Sequence, residues 1–167
     1  MSACLTVTLL LSCSSKEEKQ LLKRYKENSV YHHFLQKTEK VQLYKEGVTK
    51  VVLTATHLQK KHYNSKDTSN EVFIVGLDVE NEIALKLNSR EYQIMLDGHK
   101  PLKIKHLSHF DGTLHNVPFV TTWGSYYRVE FPHIKGKVLH LNFESKVYGK
   151  GKLNFAKVAK FMLENTP

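Results

Sequence analysis

Ten histidines make metal binding the first chemistry to consider in this chain. They are densest between residues 99 and 115, where the segment KHLSHFDGTLH could bring His106, His109 and Asp111 together. Zinc needs three or four N, S or O donors that converge at about 2.0 to 2.3 Å. The spacing matches neither HExxH nor a paired-cysteine motif. These three residues are therefore candidate metal ligands, but scattered surface histidines explain the pattern better, and we expect no cofactor.

Motifs for catalysis are missing from the sequence. No serine lies in a GxSxG motif, and Gly149 to Lys152 (GKGK) lacks the Lys-Ser or Lys-Thr pair of a phosphate-binding loop. Pairs of catalytic carboxylates are distant in sequence and cannot be identified from one chain. We therefore predict a protein that is not an enzyme, and the alternative is an enzyme whose residues assemble only in space.

A short aromatic segment is the best candidate for binding a partner. Trp123 precedes a strand pattern in which Tyr127, Val129 and Phe131 alternate, so Tyr126 and Arg128 are expected to point outward. Exposed aromatic rings beside an arginine form surfaces on which protein partners or sugars stack. We predict a binding surface of Trp123, Tyr126 and Arg128. The alternative is that Trp123 covers one end of the core.

The amino-terminal stretch LTVTLLLSCSS carries an apolar run that ends in Leu10-Leu11-Ser12-Cys13. This tetrapeptide resembles the lipobox of bacterial lipoproteins. The resemblance implies that Cys13 is lipidated and that the Ser12-Cys13 bond is cleaved. The run is much shorter than the roughly 20 residues of a membrane-spanning helix, as expected for a signal peptide that is removed. The alternative is a buried strand or helix at the amino end.

The resemblance also implies a location. A lipidated Cys13 places the mature chain in the cell envelope, attached to a membrane through its amino-terminal lipid. By the same resemblance, Ser14 after the cysteine fits sorting to the outer membrane, with the body facing the periplasm. Cys4 and Cys13 are the two cysteines of the chain, so a body from Cys13 onward contains no disulfide and must be stabilised by a packed core.

The net charge is +9, from 25 basic and 16 acidic residues. Lysines make up most of the basic residues, and Arg24, Arg90 and Arg128 are the three arginines. Lysine is a strongly hydrated point charge, whereas arginine is favoured for bidentate phosphate recognition. We therefore predict a solvated basic surface, with contact to anionic lipid or wall polymer as the alternative, and no nucleic-acid partner.

The pattern of apolar residues changes along the chain. A capping box of Ser15 and Glu18 predicts a helix from near Lys16, with Leu21, Tyr25, His32 and Leu35 on a thin apolar stripe. From about Lys40 apolar residues alternate with a period of two. The alternating runs are centred on Leu53, Val75, Ile94, Val129 and Leu141.

Turn signals separate these runs: Asn64 to Asn70, Asp97-Gly98, Asp111-Gly112, Lys135-Gly136 and Gly149 to Gly151. Strands joined without intervening helices predict an antiparallel β-sandwich, immunoglobulin-like or related. The segment LNFAKVAKFMLEN predicts a short closing helix, with an edge strand as the alternative.

Three segments follow from these patterns. Residues 1–12 are the expected signal peptide, residues 13–38 the lipidated amino terminus and a helical stalk, and residues 39–167 a single β-sandwich domain. We predict a lipid-anchored envelope lipoprotein that acts as a non-catalytic binding or structural module, with an envelope protein or the cell wall as partner. The alternative is a periplasmic carrier of a ligand or metal.

Overall fold

In a computed structural model, the described residues are 19–21, 23, 29–58, 68–80, 87 and 89–157. Within these ranges the main helix, α1, spans Ser29–Leu35. The strands are β1 (Thr38–Lys45), β2 (Val48–His57), β3 (Glu71–Val79), β4 (Tyr92–Leu96), β5 (Lys103–Leu107), β6 (Ser125–Phe131), β7 (Val138–Ser145) and β8 (Gly149–Ala156).

The strands form two antiparallel sheets. The larger sheet has the order β1-β2-β3-β6-β5, and the smaller has the order β4-β7-β8. Within the larger sheet, β3 pairs with β2 on one side and with β6 on the other. One continuous apolar core contains side chains from both sheets, so the sheets pack as a sandwich. The predicted antiparallel β-sandwich is confirmed.

The core is built from the alternating positions that the sequence pattern indicated. Phe73 lies at its centre, with edge-on contacts to Phe131 of β6 and Phe155 of β8 at ring-centroid distances of 5.9 and 5.1 Å. The five runs predicted as strands correspond to β2, β3, β4, β6 and β7. A strand presents every second side chain to one face, and this is why each run has one buried face.

Three strands lie outside the predicted runs. In β1 the side chains of Val41 and Leu43 face the core, while most of its other residues are at least partly exposed. β5 is a five-residue edge strand with exposed lysines, a composition that discourages pairing with another chain. The third, β8, begins with glycine and lysine residues. Because of these compositions, the sequences of β1, β5 and β8 show no clear alternation of apolar and polar residues.

Two local predictions were wrong. The turn between β7 and β8 lies at residues 146–148, so Gly149 to Gly151 begin a strand instead of forming the turn. The first four residues of the predicted closing helix, 153–156, end β8, where Leu153 and Phe155 join the core. Strand pairing with β7 outweighs the helix propensity of this segment. Residues 158–167 lie outside the described ranges.

The predicted amino-terminal helix is described only in part. Residues 19–21 and 23 are helical, and α1 contains no buried residue. Its end is joined to β1, because the hydroxyl of Thr38 donates to the carbonyl of Phe34 at 2.7 Å. Leu10 to Cys13, Lys16 and Tyr25 lie outside the described residues. Among the residues that are described, no helix has the length and apolarity needed to cross a membrane.

Candidate functional site

The connection between β5 and β6, residues 108–124, is long for a β-protein and crosses the outer face of the larger sheet. We call it the β5–β6 loop. Loops of this length inside a compact domain are commonly functional. Here the loop contains a single turn of 3-10 helix, Gly112–Leu114. Asp111 caps this turn by accepting hydrogen bonds from the backbone N–H and the hydroxyl of Thr113.

A second, smaller apolar cluster holds the loop on the sheet. Leu114 and Val117 of the loop are buried against Ile74, Leu107 and Tyr126 of the strands. These strand residues alternate with the residues of the main core, so they lie on the opposite face of the sheet. The loop therefore covers a sheet face that a two-layer sandwich would expose to solvent.

Tyr126 fixes the far end of the loop. Its hydroxyl accepts a hydrogen bond from the backbone N–H of Thr121 at 2.6 Å. The ring lies over Gly76, where an added Cβ would stand 2.8 Å from a Tyr126 ring carbon. Gly124 is similarly close to the ring, because its Cβ would lie 2.7 Å from the hydroxyl. Glycine at both positions allows the tyrosine to fit between the sheet and the loop.

Large apolar side chains protrude from this anchored loop. Phe110 is 97% exposed and Trp123 is 70% exposed, and Phe119 and Val120 are also exposed. Phe119 has a φ of 63°, in the left-handed region that costs non-glycine residues about 1 to 3 kcal/mol. Such strain persists only where the surrounding structure holds the residue in place. The anchored loop thus presents several aromatic rings to solvent.

An open groove of about 570 Å³ lies among these side chains. Phe110, Phe119 and Val120 line it together with His109 and, from α1, Tyr31. The amino-terminal helix and the β5–β6 loop are therefore neighbours. We call Phe110, Phe119, Val120 and Trp123 the aromatic loop surface. Asp111 and His115 also line the groove, and the exposed apolar side chains around it suit partner binding.

The structure separates the three residues predicted to bind a partner. Trp123 is exposed, so the alternative that it covers one end of the core is wrong, and its role in binding stays a prediction. Arg128 points outward but forms an ion pair with Glu130. Tyr126, expected to be exposed, is only 3% exposed. The alternation placed it correctly on the outer face, but the loop buries that face.

The candidate metal ligands do not converge. His106 packs edge-on against Tyr127 on the core side of the sheet, and His109 packs edge-on against Tyr126 on the outer side. Asp111 is occupied by Thr113, and those hydrogen bonds, followed by the nearby charge of Lys105, lower the pKa of its carboxyl group. Throughout the described ranges, no group of three His, Cys, Asp or Glu residues could hold a metal ion.

A buried polar cluster lies at one end of the sandwich and was missed at the sequence level. We call Glu71, His57, His133 and Lys157 the Glu71 cluster. The Glu71 carboxylate accepts from His57 Nε2 at 3.0 Å, pairs with Lys157 Nζ, and lies 3.7 Å from His133 Nδ1. Lys157 Nζ also donates to the carbonyl of Ile134. The cluster joins strands of both sheets.

Competing effects set the protonation of Glu71. Burial raises the pKa of its carboxyl group, but hydrogen bonds from His57 and Lys157, together with their charges, outweigh burial and hold the pKa below its usual value. Nearby, Lys37 donates to the carbonyl of Ala156 at 3.2 Å, and burial lowers the pKa of its ammonium group. The carboxylate therefore stays charged inside the protein because its hydrogen bonds and the charge of Lys157 stabilise it.

The Glu71 cluster has part of the arrangement that catalysis uses. A carboxylate that orients a histidine is two thirds of a catalytic triad. However, His57 is buried between Phe73 and Phe155, and its Nδ1 has no hydrogen-bond partner among the described residues. Among the described residues, no nucleophile lies within hydrogen-bond distance of this nitrogen, and the ring contacts of His57 are those of a packed core residue.

The fold and the loop together define an antiparallel β-sandwich with a covered outer face and an aromatic loop surface. Comparisons with protein-family models, curated proteins and solved structures found no match.

Proposed function

We propose that this protein is a lipid-anchored module of the bacterial cell envelope that acts by non-catalytic binding, with the β5–β6 loop as its binding surface. The lipid attaches to Cys13, within Leu10-Leu11-Ser12-Cys13, and holds the body at a membrane, with the outer membrane and its periplasmic face as the expected site. Its partner is another envelope component, either an envelope protein or the cell wall, with anionic lipid as the alternative.

One observation carries the binding role. The aromatic loop surface exposes Phe110 almost fully and Trp123 largely, although apolar contacts anchor the loop beneath them to the sheet. Isolated exposed apolar residues are common, but several on one anchored loop indicate an interaction site. The strained backbone at Phe119 also supports an interaction site, because strain of this kind is concentrated at functional sites.

The alternative, a periplasmic carrier of a ligand or metal, has less support. His106 and His109 face opposite sides of the larger sheet, so a carrier site would need other donors. Metal analysis of protein purified without an affinity tag tests this alternative, and stoichiometric metal would favour it over the binding module.

The lipid anchor is tested at the amino terminus. We expect mass spectrometry of protein from native cells to find an amino-terminal peptide that starts at Cys13 and carries fatty acyl groups. Cys13→Ala should abolish acylation and leave the chain uncleaved. Cys4→Ala is the matched control and should be processed normally, because Cys4 lies within the expected signal peptide. An unacylated native chain that retains Met1 would refute the anchor.

A further inference from the structure

We propose that the aromatic loop surface inserts into the interface of an anionic lipid bilayer, so that the protein holds the membrane at a second point besides its lipid. This inference rests on the proposed function and specifies what the β5–β6 loop binds. Its occupant is the bilayer surface, with phosphate-containing headgroups around the aromatic rings.

The shape of the surface favours a bilayer. Phe110 is 97% exposed and therefore projects from the loop with almost no protein around its ring. A protein partner would need a matching pocket for each projecting ring, whereas lipid adapts to any shape. Trp123 suits the interface especially well, because its ring enters the apolar region while its indole N–H bonds to headgroups or water.

The charge around the loop also favours an anionic bilayer. On β5, Lys105 lies on the same face as Leu107, which packs beneath the loop, while Lys103 lies opposite Glu130 in the strand register. Asp111 is the one acidic residue between positions 108 and 124, and Lys105 is close enough to influence it. The whole chain carries +9. Basic side chains near a membrane are attracted to anionic lipid.

The loop also lies where the amino-terminal lipid can bring it to the membrane. Tyr31 of α1 lines the same groove as Phe110 and Phe119. Eighteen residue steps separate Cys13 from Tyr31, which limits the distance between them to about 60 Å. The amino-terminal segment therefore joins the β-sandwich beside the aromatic loop surface. The loop can thus face the bilayer to which Cys13 is attached.

Trp123 reports on insertion directly, because it is the single tryptophan of the chain. The acylated protein is reconstituted into phosphatidylcholine vesicles with and without about one third phosphatidylglycerol, some containing brominated acyl chains. We expect the Trp123 emission to shift to the blue and to be quenched by the brominated lipid in anionic vesicles. Added salt should reduce the quenching, because it screens the attraction.

Two variants test whether the ring of Phe110 takes part in insertion. Phe110→Ser removes an apolar ring, and it should lower the equilibrium between inserted and free loop roughly tenfold, with weaker quenching of Trp123. Val147→Ser is the matched control, because Val147 is exposed in the turn between β7 and β8 and should leave the quenching unchanged. Both side chains are largely exposed, so neither change is expected to unfold the protein.

The outcomes distinguish the two proposals. If the protein stays on the vesicles but Trp123 remains unquenched, insertion is refuted while the lipid anchor stands. Trp123 that is protected only when an envelope protein is added would also refute insertion and would identify a protein partner. If the native chain proves unacylated, the anchor fails, and quenching of Trp123 when vesicles are mixed with the unacylated chain still decides insertion.

Discussion

Tyr126 shows how a single side chain supports the β5–β6 loop. Its ring fills the space above Gly76, and its hydroxyl accepts a hydrogen bond from the backbone N–H of Thr121. Replacing it changes no residue of the aromatic loop surface, but it removes a support on which that surface rests. A buried hydrogen bond contributes a modest net free energy, whereas a donor left without an acceptor carries a larger cost.

Tyr126→Phe keeps the ring and removes only the hydroxyl. We expect the free energy of unfolding to fall by about 1 to 2 kcal/mol, because the Thr121 N–H loses its acceptor. Hydrogen exchange at Thr121 should also become faster. Tyr44→Phe is the control, since the Tyr44 hydroxyl bonds to Gln42 on an exposed surface and its loss should change stability by less than about 0.5 kcal/mol. Equal effects of the two variants would contradict the anchoring role.

At the scale of the strands, much of the fold could be predicted because period-two alternation is a local signal. It located β2, β3, β4, β6 and β7 and the face that each strand buries. It could not predict that the β5–β6 loop folds back over the outer face, because that depends on contacts such as Leu114 with Ile74, which are distant in sequence. The exposure of Tyr126 was therefore mispredicted, although its face was correct.

The same alternation also places members of the Glu71 cluster at core-facing positions, which the sequence analysis did not consider. Glu71 continues the core-facing positions of β3, His57 continues those of β2, and Lys157 continues those of β8. Three ionisable residues at core positions, one on each of three strands, require partners inside the protein. Which strands would bring them together depends on the topology, and for this reason the sequence alone did not reveal the cluster.

Contact between β1 and β8 closes one side of the sandwich, and glycine at position 151 makes it possible. A Cβ at Gly151 would lie 2.6 Å from Val41 Cγ2. Gly151→Ala should therefore destabilise the protein by about 1 to 3 kcal/mol through overpacking. In Gly151→Ala/Val41→Ala the clashing methyl groups are gone, so the double variant should lose less stability than the sum of the single variants.

The control for this prediction is Gly112→Ala, because a Cβ there would meet nothing within 4 Å. Chemical denaturation of the four variants measures the coupling between positions 41 and 151. Additive losses, or a Gly151→Ala variant as stable as Gly112→Ala, would show that β1 and β8 are not in close contact.

For the whole molecule, the Glu71 cluster connects the two sheets with charges as well as with apolar contacts. Glu71 begins β3 of the larger sheet, and Lys157 follows β8 of the smaller one. A buried charged carboxylate stabilises the fold only while it is paired, and removing Glu71 takes away the ion-pair partner of the buried Lys157. Stability should therefore depend on pH through this cluster.

Glu71→Gln tests this dependence. The folded protein holds the Glu71 pKa below its usual value of 4.5, so the carboxylate stabilises the fold above that pH and loses its effect as the pH falls through the folded pKa. At pH 7 the variant should be less stable by about 3 to 5 kcal/mol. The difference in stability between the variant and the unmodified protein should narrow below about pH 4.5.

Glu144→Gln is the control, because Glu144 pairs with Lys150 at 3.1 Å on the surface. This substitution should lower the free energy of unfolding by about 1 kcal/mol or less. Denaturant unfolding across pH 3 to 7 measures both differences, and a Glu71→Gln difference that does not change with pH would show that the carboxylate is not held charged by its neighbours.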